Sequence, residues 1–171
     1  MEPDAMTDVA LHFASDAWSA DLAIMAGDLA TDDGLRTAVI ISLFTDARAR
    51  DDDPLPQAGD DRRGWWGDCA NDDPNDRIGS RLWLLSNAKV VDATAIRARD
   101  YCREALAWLV TDGIARSVDV TCTLYRVDAG RPSGAMTIAI AIQRPAGSRL
   151  AVDFLWDAEA NRLLSTSAGL A

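Results

Sequence analysis

The chain has 171 residues, of which 49% are apolar and 26% charged, the composition of a globular domain rather than a disordered chain. A folded monomer of this size buries about 70% of the surface its unfolded chain exposes, so a core is available without disulfides or metals. The net charge of −10 is concentrated in residues 1–77, which hold 18 acids against 6 arginines, and this opposes nucleic acid or an anionic membrane as partner.

The length fits one domain covering residues 1–171. No run approaches the 18 consecutive apolar residues of a membrane span. The start, Met1-Glu2-Pro3-Asp4, is acidic and lacks the basic and apolar regions of a signal peptide, so synthesis in a cytoplasm is expected. Cys69, Cys102 and Cys122 match no zinc or redox spacing, and incidental thiols are the default reading.

Residues 1–17 are weakly patterned and read as a loosely structured end. Between Trp18 and Thr31, apolar pieces containing Leu22, Ile24 and Leu29 flank Gly27-Asp28, a turn signal that predicts a small hairpin. Thr31 or Asp32 is then placed to cap a helix over Leu35 to Phe44. Leu35, Val39, Ser42 and Leu43 share one face, widened by Ile40, Ile41 and Phe44, which predicts a helix buried on most sides. Arg48 and Arg50 fall near its C-terminal end.

Residues 51–77 break the pattern with Pro, Gly, Asn and Asp, and carry nine acids and three arginines. A loop of this length inside a domain is usually functional or disordered. Trp65 and Trp66 in its middle favour order, because adjacent tryptophans seek apolar cover. Ile78 to Leu85 reads as a short helix with Ser80 as a candidate cap. A second strong helix runs from Asp92, its expected cap, to about Thr111. Ala95, Ala98, Cys102, Ala105, Leu106 and Leu109 form its inward stripe, and Arg97, Asp100, Arg103 and Glu104 face out. Gly113 stands where a left-handed residue ends a helix.

The remainder alternates with period two. Val118, Val120, Cys122 and Leu124 share one face, as do Met136 to Ile142 and Leu150 to Trp156 on their own strands. Asp128–Gly134 and Pro145–Ser148 are the turns. Three such strands form an antiparallel meander with one face on a core that the helices cover, so the fold class is α+β.

Asn71, Asp73 and Asn75 mimic the first three ligand positions of a calcium loop, but Asp76 replaces its glycine and Leu82 its bidentate glutamate. Solvated turn acids are the better reading. Glycoside hydrolysis needs a carboxyl pair with one member in an apolar pocket. Asp68, after Trp66-Gly67, is the acid with aromatic neighbours; it reads either as a catalytic acid or as an ion-pair partner of Arg62 or Arg63. His12 is the one histidine, and no nucleophile elbow, phosphate loop or dinucleotide fingerprint occurs. No metal or cofactor is implied.

The strongest local signal lies in Asp60-Asp61-Arg62-Arg63-Gly64-Trp65-Trp66-Gly67-Asp68. Trp and Arg dominate interface hot spots, and planar Arg pairs with carboxylates and stacks on indoles. The alternative is an internal staple, with the tryptophans in the domain's own core and the arginines on local aspartates. Spacing alone does not separate the two.

Four ordered blocks now carry a resemblance: Gly27 to Leu35 with Ile41-Ser42-Leu43-Phe44-Thr45-Asp46, Asp61 to Asp68, Gly79-Ser80-Arg81-Leu82-Trp83-Leu84-Leu85, and Phe154-Leu155-Trp156. From about Asp21 to Trp156 the chain closely resembles the Mu-type gene-46 family of contractile-tail baseplate wedge proteins, related in fold to the small, lysozyme-like-labelled wedge protein of T4-like phages. The resemblance implies a non-enzymatic structural subunit of the virion tail baseplate, present in six copies. It implies contacts with larger wedge proteins, tube or hub proteins, and the first ring of sheath subunits. Arg62, Arg63, Trp65, Trp66 and Asp68 are the contact set it implies. A cell-wall-degrading tail enzyme and an assembly chaperone absent from the mature particle are the alternatives.

Overall fold

The structure, a computed structural model, describes residues 8–9, 11–14, 19–22, 24–25, 28–29, 31–32, 35–70, 77–89, 91–124, 135–157 and 161–170. Among these, short strands come first. β1 (Asp8–Val9) pairs antiparallel with β6 (Thr31–Asp32). Between them lie two hairpins, β2 (Leu11–Ala14) with β3 (Ser19–Leu22), and β4 (Ile24–Met25) with β5 (Asp28–Leu29). The hairpin expected around Gly27-Asp28 is the second of these, with Ile24 opposite Leu29. The stretch read as a loose end carries β1 and β2, while residues 1–7 lie outside the described residues.

The helix α1 (Arg36–Phe44) buries Thr37, Val39, Ser42 and Leu43, the face read from its spacing together with Thr37. It is buried or half-buried on most sides, as its apolar width implied, and Ile41 alone of its nine residues is exposed, at 43%. Thr31 and Asp32 do not cap it, because they pair in β6. Leu35 precedes the first helical residue and its carbonyl accepts from Val39 N–H at 2.9 Å. Arg48 and Arg50 do not sit on its last turn, since the helix ends at Phe44. The Thr37 hydroxyl donates to the Val9 carbonyl at 2.9 Å and ties α1 to the N-terminal strands.

Residues 45–65 contain no regular helix or strand, and a 3-10 turn follows at Trp66–Ala70. Residues 71–76, the calcium-like stretch, lie outside the described residues. The short helix read from Ile78 is a single 3-10 turn at Leu82–Leu85, four buried residues. Ser80 serves its start: its hydroxyl accepts from Leu82 N–H at 3.2 Å and donates to the Leu43 carbonyl.

Helix α2 (Asp92–Ala105) presents Ala95, Ala98, Tyr101 and Cys102 to the core, as the stripe requires. Asp92 stands in its first turn without a side-chain cap bond. The helix does not continue to Thr111; a break at residues 106–107 separates it from α3 (Trp108–Thr111). Gly113 follows at φ 73°, the left-handed residue expected there.

The sheet has four strands, not three, in the order β10-β9-β8-β7. β7 (Ser117–Leu124), β8 (Ala135–Gln143) and β9 (Arg149–Asp157) form the meander, with Val120 opposite Ile140 and Ile140 opposite Val152. The tight 144–148 turn joins β8 to β9; the other expected turn, Asp128–Gly134, lies outside the described residues. β10 (Arg162–Leu170) adds an antiparallel edge beyond β9, with a register shift between Leu163 and Ser165. Helices cover one face, so the class is α+β. The core between the layers contains Trp83, Leu85, Ile138, Phe154 and Trp156, and Phe44 meets Phe154 edge-on at 5.3 Å.

Candidate protein-interaction surface

The loop that follows α1 is held at its base by backbone bonds. Ser80 N–H donates to the Thr45 carbonyl and Ala47 N–H to the Ser80 carbonyl, both at 2.9 Å, so residues 45–47 run beside residue 80. Ala49 N–H donates to the Arg62 carbonyl at 2.9 Å and brings the second limb of the loop back. Each of these bonds satisfies a main-chain group that a buried irregular segment would otherwise leave unpaired.

Arg62 and Arg63 are both engaged by groups of the same chain. Arg62 donates from its guanidinium to the Arg50 carbonyl, and to the Asp51 carbonyl at 3.1 Å. Arg63 pairs with Asp46 at 2.5 Å and lies over the ring of Trp83, 4.6 Å from its centroid. Trp83 is itself buried and donates its indole N–H to the Ala47 carbonyl at 2.7 Å. Arg63 thereby stacks and ion-pairs at once, the use for which a planar guanidinium is suited. Asp68 pairs with neither arginine: its carboxylate accepts from Ile78 N–H at 3.2 Å.

The tryptophans lie at the surface. Arg63 at φ 48° and Gly64 at φ 114° are consecutive left-handed residues, and they turn the chain outward. Trp65 is 38% exposed and Trp66 79% exposed, with ring centroids 5.5 Å apart. The Trp65 ring lies over Gly67, where a Cβ would meet it at 2.2 Å. Cys69 donates its thiol to the Trp66 carbonyl at 2.8 Å and closes the turn. Of the pairing expected in an internal staple, Arg63 with Asp46 is present, Arg62 bonds main-chain carbonyls instead, and the two tryptophans are not in the core.

Sequence reasoning missed a second cluster. Arg81, buried, donates to both Asp53 carboxylate oxygens at 2.9 and 2.8 Å and to Glu104 at 2.5 Å, and its guanidinium lies 4.6 Å from the Tyr101 ring centroid. Arg50 reaches the other Glu104 oxygen at 2.8 Å. Glu104 is thus not a bystander on an outer helix face; it joins α2 to the loop. Burial alone would raise the Asp53 pKa, but hydrogen bonds from Arg81 and the Arg50 N–H, with their charges, outweigh it and hold the carboxyl below its ordinary value. Burial alone would lower the Arg81 pKa, and its bonds to Asp53 and Glu104 raise it instead. The sequence shows only an arginine directly before the apolar run Leu82-Trp83-Leu84-Leu85, with nothing to mark its partners.

Cys102 on α2 hydrogen-bonds Cys122 on β7, and that bond with burial pushes its thiol well above the ordinary range, away from nucleophilic use. Among the described residues no group of three or more His, Cys, Asp or Glu is placed to hold a metal, and no helix is long and apolar enough to cross a membrane.

A family profile described as Phage protein GP46 matches residues 35–149, two-thirds of the chain and the region of α1, the loop, α2 and the first sheet strands. The chain belongs to the phage protein GP46 family. It is 44% identical over 149 residues to the baseplate protein gp46 of Escherichia phage Mu, covering 87% of this chain and 95% of that one. It is 42% identical over 115 residues to the Mu-like prophage FluMu protein gp46 of Haemophilus influenzae, covering 67% and 75%. The resemblance read from the four sequence blocks is thus a family membership. The described part of the loop, with the Trp65–Trp66 pair, lies wholly inside the matched region.

Proposed function

We propose that this protein is a structural component of a phage or phage-like tail baseplate, acting as a wedge subunit of a contractile tail through protein contacts. The observation that carries the baseplate reading is the 44% identity to the Mu baseplate protein across 95% of that chain. In this reading the wedge binds larger wedge proteins around the tube or hub and offers a template for the first sheath ring, in six copies per particle. The exposed Trp65–Trp66 pair supplies one contact, and the left-handed turn at Arg63-Gly64 sets its position. The free edges of the sheet supply another. β7 and β10 are its outer strands, and an edge strand can extend a partner's sheet through its unpaired backbone groups. Beside β7 a groove of about 390 Å³ runs along α2, lined by Asp92, Ile96, Arg99, Thr121 and Thr123.

Quantitative mass spectrometry of purified tails tests the proposal. Stoichiometric presence with the other baseplate proteins is the expected result. Absence from the mature particle would favour a chaperone and sink the wedge. The muralytic alternative predicts product release from purified peptidoglycan, lost in Asp68→Asn; no turnover at high protein concentration removes it.

A further inference from the structure

The acidic excess of the loop lies at the surface, while two of its arginines are engaged by groups of the same chain. Arg62 is occupied by two backbone carbonyls, and Arg63 by Asp46 and the Trp83 ring. Asp51, Asp52, Asp60 and Asp61 remain exposed. They are also brought together. The Ala49–Arg62 backbone bond and the Arg62–Asp51 bond place residues 49–52 alongside residues 60–63, the limb that leads directly into Trp65 and Trp66. Four exposed aspartates therefore lie on the two limbs that lead to a pair of adjacent indoles, with Asp61 accepting from the Arg63 N–H at 2.9 Å.

An exposed tryptophan pair on a loop with exposed carboxylates has a specific chemical complement. Indole faces attract cations, guanidinium most often, and the attraction strengthens when the contact excludes water. Carboxylates pair with guanidinium in bidentate geometry. Like charge excludes acidic surfaces, because juxtaposed like charges repel. We propose that the Trp65–Trp66 turn docks on a basic, arginine-bearing surface of another tail protein, with guanidinium groups over the indoles and the four aspartates as its charged rim. This rests on the baseplate reading above and names the chemistry of one of its partners. It also reassigns the contact set: the tryptophans and the aspartates at residues 51, 52, 60 and 61 meet the partner, while Arg62 and Arg63 hold the turn in shape.

The experiment replaces Trp66 in a complemented deletion strain with a photo-crosslinking amino acid and maps the products in purified tails. The expected crosslinks fall on another tail protein, at a site flanked by arginine or lysine. Crosslinks confined to this chain, or falling on an acidic or uncharged surface, would overturn the proposal. Two variants accompany it, D52K/D60K and Trp66→Ala, both at exposed positions whose side chains make no bond that shapes the turn. Each should lower the number of copies per tail at least about tenfold while far-UV circular dichroism stays unchanged, because central aromatic contacts dominate such interfaces. Normal copy number in both variants would also overturn it. Absence of the unsubstituted chain from tails is a different result and would overturn the baseplate reading itself.

Discussion

Arg81 shows how one side chain can hold an irregular segment. Its guanidinium reaches Asp53 in the loop, Glu104 on α2 and the face of Tyr101, so three elements share one buried cation. Removing it would leave the Asp53 carboxylate nine-tenths buried without its main partner. Loss of one member of such a pair costs about 3–5 kcal/mol, because the other charge stays desolvated. Arg81→Met is therefore expected to lower unfolding free energy by about 3 kcal/mol, read from the urea midpoint. Glu104→Gln should cost about 1 kcal/mol or less, since Glu104 is half exposed. The Asp53 carboxyl also sets a pH dependence. Its folded pKa lies below the ordinary value of about 3.9. The stability it contributes is fully present above that unfolded value and is lost as pH falls through the lower folded one. Stability of the native protein should fall more steeply than that of Asp53→Asn below about pH 4, measured by urea unfolding at a series of pH values. Parallel curves for the two proteins would remove Asp53 from the account.

Among the elements, the close approach of residue 79 to the end of α1 decides where the loop starts. Gly79 adopts φ 108°, and a Cβ there would lie 2.5 Å from the Thr45 carbonyl oxygen and 2.9 Å from Ala47 N. Gly79→Ala meets both a left-handed backbone and a backbone clash, and should cost about 3 kcal/mol. Gly147→Ala is the matched comparison. Its φ is 95°, with nothing within 4 Å of the added Cβ, so it should cost only about 1 kcal/mol. The difference in denaturation midpoint between the two measures the clash alone. The elements also show what the letters carry. β7, β8 and β9 were legible because each buries one face, so their apolar residues alternate for eight or nine positions. β10 was not, because an edge strand of Ser, Thr, Ala and Gly between Leu164 and Leu170 shows no such alternation. The Leu82–Leu85 turn was read as a longer helix because four buried residues are too few to display a period. Arg81 left no trace, since its partners lie 28 and 23 residues away and pairing at that distance has no sequence spacing. The tryptophans were legible as a functional pair but not in direction: a buried and an exposed indole have the same letter, and the outward turn depends on φ at Arg63, a residue type that seldom adopts it.

At the scale of the molecule, a well-packed layer supports a loosely supported one. Ile138, Ile140 and Ile142 on the central strand β8 are fully buried or nearly so, and that strand is paired on both sides. The loop is attached to this body at its base, through Arg62, through Arg63 with Asp46, and through Asp53 with Arg81. Beyond those ties, residues 57–61 and 63–66 are exposed. Local opening free energy follows buried contacts and protected backbone bonds, so it should differ greatly between the two parts. In the isolated chain, amide hydrogen exchange should be slowest in β8 and β9, near the global unfolding limit, and fastest at residues 57–61 and 64–66. Assembly should invert part of this order. If the Trp65–Trp66 turn docks on a partner, residues 64–66 gain protection in purified tails while residues 57–59, outside the proposed contact, keep exchanging. Protection of neither stretch in the particle would place the contact elsewhere on the surface. Equal protection of both would mean that the whole loop orders as one body, and the aspartate rim would then be buried rather than paired at an edge. The net charge of −10 makes that last outcome costly, because the loop's exposed carboxylates would have to leave water together. A contact limited to the indoles and the nearest carboxylates keeps most of the acidic surface solvated, and so costs least in desolvation.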